Sequence, residues 1–176
     1  LLKGTAKLIN GIVDVEELKV QKAIGEKIYK VSANGKIPLI SLTTNKAAKL
    51  QSDEQINLNI SLDNADLSLL PVIGKDYVAW AMGDMAGNLK VTGTAANPLI
   101  NGTISILNGS TKIKGMKNLI ERMNVVLKFN GERIAIEDFS GMIGGGKYDL
   151  IGGLSIANLD IEDYNFKLKV MLFLHK

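Results

Sequence analysis

The chain has 176 residues, of which 46% are hydrophobic and 22% charged, with a net charge of +3, three prolines, 18 glycines, one histidine and no cysteine. That length suits one structural unit over residues 1–176, and the missing cysteines remove disulfide scaffolds, thiolate catalysis and Cys-based zinc sites. Only Arg122 and Arg133 are arginines, lysines alternate with acids, and aromatics are sparse, which describes a solvated face and no nucleic-acid surface.

The chain opens Leu1-Leu2-Lys3 without a charged region ahead of an apolar run, so no signal peptide is expected and the chain reads as a segment of a larger protein. Asn10-Gly11 is the first of five Asn-Gly pairs, the others beginning at Asn34, Asn101, Asn108 and Asn130. Both residues tolerate positive φ, so these pairs predict hairpin turns that punctuate an antiparallel meander. Between the first two pairs, Asp14 to Ile24 fits an amphipathic helix as well as a strand.

From Ile56 to Asp63 every even position is aliphatic and every odd one polar, which puts Ile56, Leu58, Ile60 and Leu62 on one face of a pleated strand. Asp66 to Leu70, ahead of Pro71, predicts a short capped helical turn. Lys75 to Gly87 predicts a second short helix or a packed loop, with Trp80 as a core plug.

Leu119, Ile120, Met123, Val126 and Leu127 also fit a helical period, but Met123 to Phe129, Asn130-Gly131 and Glu132 to Glu137 together predict a hairpin. Tyr148 to Ile156 and Phe166 to Val170 alternate again, with Lys167 and Lys169 facing away from the apolar side. Val170 to Leu174 is too short an apolar run to suggest a membrane-spanning helix. About a dozen strands of roughly 6 to 9 residues follow, stacked at ~4.8 Å into a sheet roughly 55 Å along its edge. No long helix is predicted to cover its apolar face, so the sheet is expected to curl around an apolar groove.

Gly141 to Lys147 matches the G-x-x-x-x-G-K spacing of a phosphate-binding loop. The match fails at Tyr148, where a small hydroxyl must reach Mg²⁺, and Gly152-Gly153 would break the helix that such a loop needs. Gly144 to Gly146 and Gly152-Gly153 are expected instead to be bulges or bends where a curled sheet turns a corner. His175 stands alone near the end of the chain, so neither a zinc site nor histidine-based catalysis is expected. Glu137, Asp138, Asp160, Glu162 and Asp163 lie in turn or solvent-face contexts, which gives no support to paired-carboxylate chemistry. No catalytic residue, cofactor or metal is assigned, and the chain is read as a non-enzyme.

The run from Ile56 to Ile156 resembles the C-terminal region of the TamB family, the inner-membrane component of the bacterial translocation and assembly module, within the AsmA-like group. The resemblance is carried by Asp66 to Leu70, Gly87 to Pro98 leading into Gly102-Thr103-Ile104, Phe129 to Ile136, Gly144 to Tyr148, and Leu150 to Gly153. It implies an all-β fold, an elongated antiparallel sheet curled lengthwise into a β-taco with an apolar interior groove and one or two short helices. It also implies a periplasmic segment of an inner-membrane-anchored protein that carries phospholipid toward the outer membrane. An Omp85-type barrel protein is the implied partner, with outer-membrane protein clients as a further class.

On this reading the groove is lined by Leu58, Ile60, Leu62, Val91, Ile104, Ile106, Val125, Leu127, Ile134, Ile136, Leu150 and Ile156. An acyl chain of about 16 carbons needs roughly 12 kcal/mol of shielding, at ~0.8 kcal/mol per methylene, to leave a bilayer. Branched side chains without buried charge provide it. The same residues would also serve as the closed core of a sandwich or solenoid, and a groove of this kind could instead receive client strands by β-augmentation.

Overall fold

The computed structural model describes residues 2–24, 27–50, 53–69, 76–157 and 160–171. Ten strands form a single antiparallel sheet: β1 (Leu2–Ile9), β2 (Ile12–Ile24), β3 (Lys27–Pro38), β4 (Asn57–Asp66), β5 (Val78–Gly93), β6 (Pro98–Ile113), β7 (Ile120–Gly131), β8 (Arg133–Ile143), β9 (Gly146–Ala157) and β10 (Asp160–Met171). They lie side by side in the order of the sequence, and β1 and β10 are the two edges, so the sheet is open and not a barrel. Nine spacings of ~4.8 Å make it about 43 Å across. The all-β, elongated, curled sheet expected from alternation is therefore what forms.

The strands are fewer and longer than alternation alone suggested. They reach 16 residues in β5 and β6, because glycines that read as turns lie inside strands. Asn10-Gly11 does turn the chain between β1 and β2, with φ of 49° and 78°. At the other predicted hairpin, Asn130 still pairs with Arg133, and the turn is Gly131-Glu132. Asn34-Gly35, Asn101-Gly102 and Asn108-Gly109 are interior to β3 and β6.

At Gly102 φ is +133°, and a Cβ there would stand 2.0 Å from the Asn88 carbonyl oxygen. Only glycine lets the backbones approach so closely, and β6 runs on through it. Gly152 behaves likewise, with φ +149° and the Asn165 oxygen 2.1 Å from a Cβ, inside β9. Gly144-Gly145 is not a corner: both residues have positive φ and form the β8–β9 hairpin turn.

Register shifts interrupt every neighbouring pair except β3–β4. Each inserted residue bends its strand and adds local twist, so long strands curl where straight ones would lie flat. Among the described residues, helical structure is confined to the five-residue helix α1 (Lys46–Leu50) and the 3-10 turns Leu39–Leu42 and Leu67–Leu69. The last of these is the predicted turn, with Asp66 Oδ1 accepting from the Ser68 N–H at 2.9 Å. Leu70, Pro71 and Lys75 lie outside the described residues.

The helical alternatives for Asp14–Ile24 and for Leu119–Leu127 give way to strands β2 and β7, since burying one face of a growing sheet outweighs a weak helical period. The short helix or packed loop expected over Lys75 to Gly87 is, from Val78 onward, the start of β5. Trp80 is not a core plug either. It is 38% exposed, while its neighbour Ala81 takes the buried position.

Candidate functional site: an apolar trough across ten strands

Directly opposed residues in antiparallel strands share a face, so the register fixes what each face carries. One line of opposed residues runs Gly4, Leu18, Ala33, Ile60, Leu89, Gly102, Phe129, Ile134, Leu154 and Tyr164, from one edge of the sheet to the other. A second, parallel line runs Val20, Val31, Leu62, Gly87, Ile104, Leu127, Ile136, Gly152 and Phe166. Neither line contains an acid, a base or an amide. These two rows form an apolar floor that runs perpendicular to the strands.

The opposite face has the reverse character. Asn34, Asn59, Lys90, Asn101, Asn130, Arg133, Ser155 and Asp163 face one another in turn across β3 to β10. Asn59 donates to Asn34 Oδ1 at 3.1 Å, and the Gly131 N–H donates to Asn101 Oδ1 at 3.2 Å. Lys128 pairs with Glu137 at 3.8 Å and Lys36 with Asp14 at 3.8 Å, both exposed. Along these rows charge therefore stays on the polar face, and the one-residue alternation of the sequence becomes a two-sided sheet.

The twelve residues assigned to the groove lie on the apolar face. Leu62, Ile104, Leu127 and Ile136 are consecutive members of one floor row, apart from Gly87 between the first two, and Ile60 and Ile134 belong to the other. Leu58 opposes Val91 in a flanking row. Ile106 opposes Val125 at the far flank, Leu150 opposes Leu168, and Ile156 opposes Ile161. Ten of the twelve are only half-buried; Ile106 and Val125, 8% and 6% exposed, are the two that are fully enclosed. Half-burial along these rows means that no second layer covers them among the described residues. A closed sandwich would bury these positions against a second layer.

The trough is filled along one flank. Leu67, fully buried, stands over β5 and β6, where Gly83 and Gly109 leave room for it: a Cβ at Gly109 would meet Leu67 Cδ2 at 3.2 Å. Val78, Ala81, Ile106, Ile120, Met123, Val125 and Tyr148 complete this cluster, with Leu127 and Phe139 packed against it. Ile56, Ala95 and Ala96 are buried at the other flank, where the Ile56 N–H donates to the Gly93 oxygen at 2.7 Å. Between the two buried flanks the floor rows remain accessible. The apolar face is thus buried at two flanks and half-exposed between them.

Two polar side chains are buried in the filled flank: Thr111, opposite Ala81 and Ile120, donates its hydroxyl to the Trp80 oxygen at 2.9 Å, and the other is Tyr148. Its ring meets Phe139 edge-on at 5.5 Å and lies over Gly141, its cross-strand neighbour, whose missing side chain leaves the space. Its hydroxyl is buried without a hydrogen-bond partner. Burial first, and then the Asp138 carboxylate, push its pKa up to about 12, so it stays a neutral phenol.

Sequence reading missed the floor residues Leu89, Phe129 and Leu154, and the contribution of β2 and β3 through Leu18, Val20, Val31 and Ala33. The signal was present: each occupies an apolar position in the alternation of its own segment. Register, which alone connects segments, cannot be read from one segment at a time. At Gly141 to Lys147 the chain forms the end of β8, the hairpin turn and the start of β9, so there is no strand-to-helix junction whose N–H groups could cradle phosphate. A scan against protein-family models and comparisons with curated proteins and with solved structures find no match to this chain.

Proposed function

We propose that the trough shields lipid acyl chains, and that the chain is a non-enzymatic segment of a TamB-like, periplasm-spanning envelope protein that moves phospholipid between inner and outer membranes. The observation that carries this reading is the pair of uncharged apolar rows that cross the sheet and stay half-exposed. An acyl chain needs a long, non-directional apolar surface and no fixed hydrogen-bond partners, because its transfer cost is spread evenly over its methylenes. Rows of Leu, Ile, Val and Phe about 43 Å long match that demand, and a headgroup would remain at the open side of the trough, near water.

The anchoring of such a protein in the inner membrane and its pairing with an Omp85-type barrel protein belong to this proposal through the TamB resemblance. So does its periplasmic location. The competing reading is a chaperone whose trough receives strands of outer-membrane barrel clients. One experiment separates the two. A photo-crosslinking residue placed at Ile104 or Leu127, followed by mass spectrometry, should yield phospholipid adducts, and lipid should accompany the purified protein. Adducts to barrel polypeptides would favour the chaperone. A trough that yields neither would end the lipid proposal.

A further inference from the structure

We propose that Asn10-Gly11 is a self-modification site, at which the folded chain converts Asn10 to isoaspartate while the sheet holds the other four Asn-Gly pairs inert. The chemistry is open in principle to all five pairs. The glycine nitrogen loses its proton to solvent base and attacks Cγ of the preceding asparagine. The N–Cγ bond forms, the Cγ–Nδ2 bond breaks, and ammonia leaves a succinimide ring. Water then opens the ring: attack at Cγ gives aspartate, and attack at the main-chain carbonyl gives isoaspartate, whose backbone runs through Cβ and Cγ. The sum is an amide plus water giving a carboxylate and ammonium, with no oxidant or cofactor. The step needs a glycine N–H outside the ladder, a peptide that can rotate, and access for water.

Asn10-Gly11 meets all three needs. Ile9 pairs with Ile12, so these residues form a two-residue hairpin loop, and such a loop leaves the N–H of its second residue outside the ladder. Both residues are exposed to water. The nearest atom that a Cβ at Gly11 would meet is Glu54 Oε1, 3.9 Å away, so nothing crowds the turn. The Leu39 N–H does hold the Gly11 oxygen at 2.7 Å, but that oxygen belongs to the following peptide and leaves the Asn10–Gly11 peptide unanchored.

Each of the other pairs fails on one count or more. Asn34-Gly35 lies inside β3 with strands on both sides, Asn34 Oδ1 accepts from Asn59, and the Asn57 oxygen stands 2.1 Å from where a Gly35 Cβ would be. Asn101-Gly102 lies between β5 and β7 in the same way, with Asn101 Oδ1 taken by the Gly131 N–H at 3.2 Å. That bond also occupies the nitrogen that would have to attack at Asn130-Gly131. Asn108 shares the φ of 49° seen at Asn10, but Gly109 is buried among Ile106, Leu67 and Met123, and the Asn108 N–H is tied to Asn124 Oδ1 at 3.0 Å. Isoaspartate at position 10 adds a main-chain carbon to a loop whose length sets the hairpin register, so the β1–β2 pairing loosens. The turn is closed by β1 and β2 themselves, and the site is independent of what the trough carries.

The test incubates the full chain in mildly alkaline buffer, once folded and once in urea, and follows all five pairs by peptide mass spectrometry with fragmentation that separates isoaspartate from aspartate. In the folded chain isoaspartate should accumulate at position 10 at least about tenfold faster than at the other four, which must first open locally. In urea the five rates should fall within about threefold of one another, because the sheet no longer selects among them. Asn10→Asp keeps a turn-forming pair with Gly11 and should remove the early release of ammonia. Amide hydrogen exchange across β1 should be faster in aged protein than in fresh. Modification spread evenly over the folded pairs, a preference for Asn10 that survives in urea, aspartate without isoaspartate, undiminished ammonia from Asn10→Asp, or unchanged exchange across β1 would each overturn the proposal.

Discussion

Replacing Tyr148 by phenylalanine probes how dry the filled flank of the trough is. The phenol pKa rises from 10.0 to about 12 on folding, chiefly through burial. A shift of about two units corresponds to at most about 3 kcal/mol of linkage. Its sign follows from which state releases the proton first. Between pH 10 and 12 the unfolded chain ionises Tyr148 while the folded chain holds it neutral, so this contribution is fully present below pH 10 and is lost as pH rises through 12. Phenylalanine has no proton to lose. It also keeps the edge-on contact with Phe139 and removes a buried hydroxyl that has no partner, a group that costs about 1–3 kcal/mol to bury.

Urea unfolding should therefore find Tyr148→Phe at least as stable as wild type at pH 7, with a gain of up to about 1 kcal/mol. The gap between the two should widen steadily from pH 9.5 to 11.5. Tyr164→Phe, at a position 68% exposed, should show no such gain at pH 7. A Tyr148→Phe chain that loses more than about 1 kcal/mol at pH 7, or one that tracks wild type in parallel through the alkaline range, would refute the reasoning.

Three comparisons of glycines, flank and floor extend the test. Gly102→Ala should cost about 3 kcal/mol, because the added carbon meets a backbone oxygen that cannot move aside, whereas Gly115→Ala, with φ +80° and open space, should cost only about 1–2 kcal/mol; urea midpoints measure both. Leu67→Ala should cost about 3–5 kcal/mol, since it empties the fully buried centre of the flank cluster. Ile60→Ala, on the half-buried floor, should cost only about 1–2 kcal/mol by the same measurement and should weaken lipid capture instead.

The two-sided sheet was legible in the sequence because alternation is a local property: Leu58, Ile60 and Leu62 declare their face without reference to any other strand. What was not legible depended on context. Asn101-Gly102 and Asn108-Gly109 carry the same conformational permission as Asn10-Gly11, yet they lie inside a 16-residue strand where Asn10-Gly11 ends one. The difference lies in whether the next apolar segment pairs backward or onward. Trp80 looked like a core residue by size alone, but the bulge that shifts β5 against β6 hands the inward position to Ala81. The floor rows were half visible. Their members in β4, β6, β7 and β8 stood out, and their continuity through Ala33, Leu89 and Leu154 became apparent only with the register.

Strand order along the sheet is identical to strand order along the chain, and this makes the trough modular. Each strand bonds only to its immediate predecessor and successor, as repeats do in a solenoid. Removing or inserting one hairpin changes the length of the floor by roughly two strand spacings, ~9.6 Å, while leaving its face and polarity intact. Length can thus vary without redesign of the cross-section, so that the same sheet can be fitted to whatever span it has to cover.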